Sequence, residues 1–288
     1  MNKRQKFMGV VLSFALFVGL MGGIGSVSEA AGSSYTLLKG EKIVITIFGT
    51  NIRSVSSSKK SVIAVKKSGA NKATVTAKKA GKAKVTVRGV NGGSKTYSFN
   101  VKNPKYSWKV VGVYAENNSY KITYEIINKS GVYLSSGKFK YHLFDASGVE
   151  VKSDVFNVYR MIAGAKCYYT VSHYLTDGQT IGNATLTNDE YSHDFKYKYN
   201  NVSKKMKVNK VEKLDSNINF TIKNPTKESV DGVVDVVFYD AAGQIVGTSQ
   251  SSMYMTSNSV TTKTVYAPTR EWADYKYSIR AVYGKYIG

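Results

Sequence analysis

The chain has 288 residues, with 41 lysines and arginines against 19 acidic residues, so its formal net charge is +22. It has one cysteine, Cys167, which excludes an intrachain disulfide framework and leaves hydrophobic cores to hold the fold. The charge predicts anionic surroundings without choosing among wall polymers, acidic glycans, lipid headgroups and released nucleic acid. Because lysine carries most of this charge as a hydrated point cation, we expect no specific nucleic-acid recognition.

The N-terminus is typical of a signal peptide over residues 1–30. A basic MNKRQKF precedes the apolar MGVVLSFALFVGLMGGIG, and SVSEAA offers a cleavage point after Ala30, with Ser28 completing the small-residue pattern. A retained membrane anchor is the alternative, because the apolar run is nearly long enough to span a bilayer. Cleavage removes three cations and Glu29, which lowers the charge from +22 to +20. The mature chain then has no transmembrane segment and stays strongly basic.

Beyond residue 31 the chain is predicted to be all-β. Short alternating runs bounded by Gly, Asn, Ser and Asp recur about every ten residues, which is the spacing of β-sandwich modules. Breaks at VKNPKYS and KYKYNNVSKK divide the chain. We therefore expect tandem Ig-like β-sandwich modules after the signal peptide, at residues 35–102, 105–199 and 204–288.

Residues 37–101 resemble the bacterial Ig-like group 2 domain, found in surface adhesins such as intimin and invasin. The resemblance is carried by an opening Gly40, a Ser-rich segment at 56–58, strands at 62–65 and 75–77, an Ala80-Gly81 turn and a strand at 83–87. It implies an Ig-type sandwich on a secreted or surface-exposed bacterial protein, with a role in adhesion or in spacing other modules. It implies no catalytic residues. The tryptophan that often precedes the Ser-rich segment in this family is replaced here by Val55 and Ser56.

The stretch ATVTAKKAGKAKVTVR, residues 73–88, is predicted to be a β-hairpin of this module. Alternation places Ala and Val on the core face and Thr, Lys and Arg on the wet face. A turn centred on Ala80 would set Lys72 opposite Arg88, and like charges facing each other do not stabilise a hairpin. Solubility and protection of edge strands are one explanation of these cations, and contact with a polyanion is the other. The candidate contact residues are Lys72, Lys78, Lys79, Lys82, Lys84 and Arg88.

The rest of the chain looks like a duplication. ITYEIIN at 122–128 matches INFTIKN at 218–224, and LFDASGVEV at 143–151 matches FYDAAGQIV at 238–246. In both copies the Asp-x-x-Gly stretch predicts a tight turn, with Asp145 and Asp240 bonding the turn backbone and Gly148 and Gly243 taking positive φ. These stretches also resemble FxLYD-type extracellular domains, which implies another secreted sandwich.

Tyrosine-rich strands interleave aromatic and basic side chains. Tyr197 and Tyr199 in DFKYKY are candidates for stacking on sugar rings, which is the basis of a second hypothesis. The alternative is that tyrosine is simply a good strand residue, half buried with a wet hydroxyl.

Motifs for catalysis or metal binding are missing from the sequence. His142, His173 and His193 lack the companions of a zinc site, and the adjacent Asp189 and Glu190 do not suggest a catalytic carboxylate pair. We expect no enzyme activity and no cofactor.

Together these features predict a secreted, non-enzymatic bacterial surface or adhesion-type protein. Its expected partner is an anionic cell-wall polymer or glycan, or a surface protein, and its attachment is expected to be non-covalent because AVYGKYIG lacks a wall-sorting motif. The alternative is a carbohydrate-binding accessory module of an extracellular polysaccharide-degrading system.

Overall fold

The computed structural model describes residues 13–15, 34–116, 119–174, 176, 180–194, 197–269 and 271–286. These residues form strands joined by turns, with one short 3-10 helix, so the all-β prediction is confirmed. No helix within the described ranges is long and apolar enough to span a membrane. Two compact units are present, one ending at Pro104 and one running from Lys105 to Tyr286.

Only the backbone of β1 (Ser13–Ala15) is described within the predicted signal peptide. It pairs in parallel with Val44–Thr46 of β3. The rest of that segment, including the predicted cleavage point, lies outside the described residues.

The first unit contains two four-stranded sheets whose inward side chains form its core. One sheet, called here the β6 sheet, has the order β1-β3-β6-β5, and the other, called the β7 sheet, has the order β2-β8-β7-β4. The strands are β2 (Ser34–Leu38), β3 (Lys42–Thr46), β4 (Ile52–Ser57), β5 (Ile63–Lys67), β6 (Lys72–Ala77), β7 (Gly81–Gly89) and β8 (Ser94–Lys102).

The predicted hairpin at 73–88 is wrong in its pairing, although its alternation is right. Ala73, Val75 and Ala77 are buried, and so are Ala83, Val85 and Val87. However, β6 pairs with β3 and β5, whereas β7 pairs with β4 and β8. Two strands that each have one apolar face can meet as hairpin partners or from opposing sheets, and alternation is identical in both cases.

The connection between β6 and β7 therefore crosses from one sheet to the other. The backbone N–H of Lys78 donates to the carbonyl of Val62 at 2.8 Å, which holds this connection against the loop between β4 and β5. Gly81 follows at φ +144°, and a Cβ there would lie 3.1 Å from the Val62 side chain. The close approach and the positive φ both favour glycine at this crossing.

The second unit contains two sandwiches with the same strand order, which agrees with the duplication seen in the sequence. In the first, the sheets are β13-β10-β9 and β12-β11-β14; in the second they are β20-β17-β16 and β19-β18-β21, with β15 added beside β21. The bounds in the first are β9 (Tyr106–Glu116), β10 (Ser119–Asn128), β11 (Leu134–Phe144), β12 (Glu150–Met161), β13 (Lys166–Tyr174) and β14 (Asn183–Ser192). Those in the second are β15 (Tyr197–Asn201), η1 (Ser203–Lys205), β16 (Lys207–Lys213), β17 (Asn217–Lys223), β18 (Val230–Tyr239), β19 (Ile245–Met255), β20 (Val260–Tyr266) and β21 (Asp274–Tyr286).

Strand β15 does not belong to the first repeat, where the sequence analysis had placed residues up to 199. All five of its residues pair with β21, from Tyr197 opposite Tyr286 to Asn201 opposite Val282. The second sandwich therefore begins at β15.

A buried asparagine lies at the same place in both repeats, as the last residue of β10 and as the residue directly after β17. Asn128 donates through Nδ2 to the carbonyls of Val132 and Met161, while its Oδ1 accepts from the backbone and side chain of Ser130. Asn224 makes the matching bonds to Glu228, Thr256 and Thr226. An unpaired backbone group is costly when buried. In each sandwich this one side-chain amide provides hydrogen-bond partners for two carbonyls and one backbone N–H, and so stabilises the corner where they meet.

The Asp-x-x-Gly turns have the predicted structure. Asp145 Oδ1 accepts from the backbone N–H groups of Ser147 and Val149. Asp240 Oδ1 accepts from those of Ala242 and Gln244, and Gly148 and Gly243 have φ of +84° and +79°.

The two repeats are joined by Arg280, which also forms a buried ion pair within the second repeat. Arg280 and Asp235 are both 3% exposed, and their side chains form two hydrogen bonds of 2.6 and 2.7 Å. Arg280 also donates across the joint to the carbonyls of Tyr159 and Arg160 in the first repeat. Burial by itself lowers the pKa of Arg280, but the hydrogen bonds to Asp235 and the charge interactions with Cys167, Asp235 and Tyr133 together raise it, so the guanidinium stays charged.

The outer face of the β13-β10-β9 sheet completes this joint. A Cβ on Gly112 would lie 2.7 Å from the Cβ of Ile245, so only glycine lets that side chain approach the sheet. Thr170 forms hydrogen bonds of 2.9 Å with both Thr123 and Thr248, linking the repeats through hydroxyls. Gly112 pairs with Thr123, and at the matching position of the second repeat Asn219 pairs with the exposed Glu212, so that repeat does not offer the same close-packing surface.

Candidate polyanion-binding surface

The positive charge of the chain is concentrated in the first unit. Residues 31–104 hold 15 lysines and arginines and one acidic residue, Glu41, whereas residues 105–288 hold 23 and 17. Glu41 accepts a hydrogen bond of 2.8 Å from the backbone N–H of Leu38 in a tight turn. The first unit therefore cannot neutralise its own cations, and it accounts for +14 of the mature chain's +20.

Three of the six candidate residues lie in one row on the outer face of the β7 sheet. Lys82, Lys84 and Arg88, called here the β7 row, are exposed and alternate with the buried core residues of the same strand. They share a face because successive side chains on a strand point to opposite sides.

Small polar side chains flank the β7 row on both sides. On β8, Asn100 lies opposite Lys82, Ser98 opposite Lys84 and Ser94 opposite Arg88. On β4, Ser54 lies opposite Arg88. The predicted repulsion between Lys72 and Arg88 is therefore absent, because neutral side chains occupy the cross-strand positions beside this row.

A second group of lysines lies at the turns where the chain enters β5 and leaves β6. The exposed residues Lys59, Lys60, Lys78 and Lys79, called here the lysine turns, come together because Val62 N donates to Lys59 O while Val62 O accepts from Lys78 N. The backbone of Ser58 bonds to the carbonyl of Lys84, so these turns lie beside the start of the β7 row. Lys59 and Lys60 were not among the predicted residues, although the SSSKKS segment was a signal for them.

The remaining predicted cation, Lys72, lies on the β6 sheet. It pairs with Thr46 of β3 and faces outward with Lys42 and Lys66. The structure thus brings Lys78, Lys79, Lys82, Lys84 and Arg88 to one side of the module and separates Lys72 from them.

A shallow depression runs beside the β7 row. Its polar lining comes from Ser34, Ser58, Lys82, Lys84, Ser98 and Asn100. These side chains present hydroxyl, amide and ammonium donors, which suit a ligand rich in acceptor oxygens. Among the described residues of this outer face none is aromatic, since the rings of Tyr35, Tyr97 and Phe99 are buried on the core side.

Tyr197 and Tyr199, the candidates for glycan stacking, both lie over Gly284 of the neighbouring strand β21. A Cβ on Gly284 would lie 3.1 Å from each of their rings. The ring centroid of Tyr199 is 4.3 Å from that of Tyr133 in the first repeat, and burial is the first cause that raises the pKa of Tyr199 to about 12. Tyr197 is 37% exposed. Tyr199 thus contributes to the joint, and stacking of sugars on either ring stays a prediction.

The cysteine and one of the histidines have contacts that serve the fold. Cys167 is fully buried, and burial raises the pKa of its thiol to about 11. His142 Nδ1 lies 2.7 Å from Glu150 Oε2 at an exposed position. Within the part of the chain that the structure describes, no three His, Cys, Asp or Glu side chains are grouped to hold a metal ion.

The first unit is therefore a β-sandwich with a basic face, and the second is a pair of duplicated β-sandwiches. No family model matches the chain, and no curated protein matches it. Among the solved structures that match is a tetra-tandem repeat from the extending region of a large adhesion protein. Its sequence identity is 13%, the match covers 88% of this chain and 74% of that one, and the TM-score is 0.21. The all-β class of this chain follows from its own strands and registers.

Proposed function

We propose that this chain is a secreted, non-enzymatic bacterial surface protein that attaches to anionic cell-wall polymers or glycans through its first module. The resemblance of residues 37–101 to the bacterial Ig-like group 2 domain supports a surface location. The observation that carries the proposal is the charge of that module, 15 cations against one acidic residue. A surface of this kind attracts polyanions over about a Debye length, which is about 10 Å at 0.1 M salt.

The second unit has a different role in this proposal. Its net charge is only +6 over residues 105–288, and its two repeats are held together by the hydrogen bonds from Arg280 to the carbonyls of Tyr159 and Arg160. In this proposal the second unit is a rigid spacer, and it is the unit that contacts a protein partner. The non-enzymatic assignment is supported by the turn and core positions of Asp145, Asp240 and Cys167.

The test is retention on purified bacterial cell walls across a salt series, using the chain without its predicted signal peptide. We expect retention at low salt that declines as salt rises, because exposed charges are screened. No retention at low salt, or retention that ignores salt, would overturn the proposal.

A matched pair of variants assigns the attachment to a module. Both variants replace three exposed lysines by glutamine, so both lose the same charge. Retention should fall more for the first-module variant than for the second-unit variant, and equal losses would contradict the role of the first module. The first-module variant is K59Q/K60Q/K79Q and the second-unit variant is K204Q/K205Q/K207Q.

A further inference from the structure

We infer that the β7 row is a binding site for a linear polymer of phosphodiester-linked polyols, which runs along strand β7 on the outer face of its sheet. This inference rests on the proposed function and names the ligand class of that surface. It is separable from general attachment, because it predicts that three particular cations matter more than three others on the same module.

The spacing of the row is the first argument. Lys82 and Lys84 are alternate residues of one strand, so their backbones lie about 6.8 Å apart. Two strand residues contain about six backbone bonds, the same number as one three-carbon polyol phosphate unit, so an extended chain of such units has nearly the same repeat. Successive phosphates can therefore lie beside Lys82 and Lys84, and the chain continues past Thr86 toward Arg88.

The neighbours of the row are the second argument. Ser98, Asn100 and Ser58 bring short donors beside the two lysines, and Thr86 and Thr96 form a hydroxyl pair at 3.0 Å between Lys84 and Arg88. A phosphodiester has acceptor oxygens and a polyol has hydroxyls, which together match ammonium, amide and hydroxyl groups.

The missing aromatic rings are the third argument, because they separate two kinds of polyanion. Proteins that hold sugar rings use aromatic faces for stacking. The described aromatic side chains of the β7 sheet all point inward to the core, so its outer face offers charge and hydroxyls but no ring on which a sugar could stack. This favours a polymer without rings in its backbone over a uronic-acid glycan.

The opposite sheet supplies the control. Lys42, Lys66 and Lys72 are exposed on the outer face of the β6 sheet, and their replacement removes the same charge from the same module. Binding of the signal-free chain to poly(glycerol phosphate) and to polygalacturonate of matched length is measured by titration for two variants. They are K82Q/K84Q/R88Q and K42Q/K66Q/K72Q.

We expect K82Q/K84Q/R88Q to weaken poly(glycerol phosphate) binding by about tenfold, since three exposed ion pairs at about half a kcal/mol each combine to that factor. K42Q/K66Q/K72Q should weaken it by about twofold or less. Equal losses for the two variants would overturn the inference, as would tighter binding of polygalacturonate than of poly(glycerol phosphate). If the triple variant unfolds, K84Q alone against K66Q alone gives the same comparison.

The outcomes distinguish this inference from the function on which it rests. Salt-dependent retention on walls with equal losses for the two variants refutes the site and leaves the attachment. If the unmodified chain is not retained on walls at all, both the site and the attachment are refuted.

Discussion

Replacement of Arg280 by methionine should be the most damaging single change in the joint between the two repeats. The guanidinium lies in a buried pair with Asp235 and also donates to the carbonyls of Tyr159 and Arg160. Methionine fills similar volume without charge or donors. It leaves a carboxylate that is 3% exposed without its cation, and it takes the Arg280 donor from two carbonyls at the joint.

The size of the effect follows from these losses. Breaking a buried ion pair by removing one partner typically costs about 3–5 kcal/mol, because the other charge is left uncompensated. Arg280→Met should therefore lower the free energy of unfolding of the second unit by about that amount. The double variant D235L/R280M removes both charges and should be less destabilised than R280M. The half-buried pair of Arg160 and Asp231 is the control, and D231N should cost about 1 kcal/mol or less.

Two natural probes report on this unit alone. Trp108 and Trp272, the two tryptophans of the chain, lie one in each repeat, so fluorescence during urea unfolding follows the second unit. Cys167 is fully buried, and its reaction with a thiol reagent requires local opening. A loss of about 3 kcal/mol corresponds to an increase in labelling of about a hundredfold. Unchanged labelling with a stability loss below about 1 kcal/mol would refute the reasoning, as would a double variant no more stable than R280M.

Three further predictions concern the cores and the joint. The Tyr124 hydroxyl is buried without a hydrogen-bond partner, and Phe220 occupies the matching site of the second repeat. Tyr124→Phe should therefore raise the free energy of unfolding by about 1 kcal/mol, and a decrease of that size would contradict this. Asn128→Ala and Asn224→Ala should each lower the free energy of unfolding in urea by about 2–4 kcal/mol, because each leaves two carbonyls and a backbone N–H without their hydrogen-bond partner. A decrease below about 1 kcal/mol would refute the stabilising role of these amides. Burial alone raises the pKa of Glu125, but hydrogen bonds and nearby cations lower that pKa below 4.5 overall. The ionised Glu125 therefore stabilises the folded state fully above pH 4.5, and this contribution is lost as pH falls through the lower folded pKa. Glu125→Gln should flatten the acid limb of a stability–pH curve, and an unchanged limb would count against it.

Much of the fold was readable because side-chain alternation has a local cause. Residues that alternate in polarity bury one face of a strand whichever neighbours that strand has, so the inward set of β6 and β7 was predicted correctly. The turns at Asp145 and Asp240 were readable for the same reason, because a carboxylate bonds the turn's own backbone and glycine accepts the positive φ locally.

The site was predicted only in part, because its members are assembled by strand pairing. Lys82, Lys84 and Arg88 share one strand, and their common face follows from the sequence alone. The removal of Lys72 from this group, and the addition of Lys59 and Lys60, depend on β6 and β7 lying in different sheets. No spacing along the chain distinguishes that arrangement from a hairpin.

The sequence by itself determined the all-β fold class, the duplication, the turns and the excess of cations in the first module, since each depends on local patterns or on counting. Tertiary structure alone decided which cations share a face and how the repeats are joined. Arg280 and Gly112 are far apart in the chain and have no motif, and their roles at the joint come from partners that meet only when two sandwiches pack. Such long-range contacts depend on which surfaces bury each other, and a one-dimensional pattern does not encode that choice.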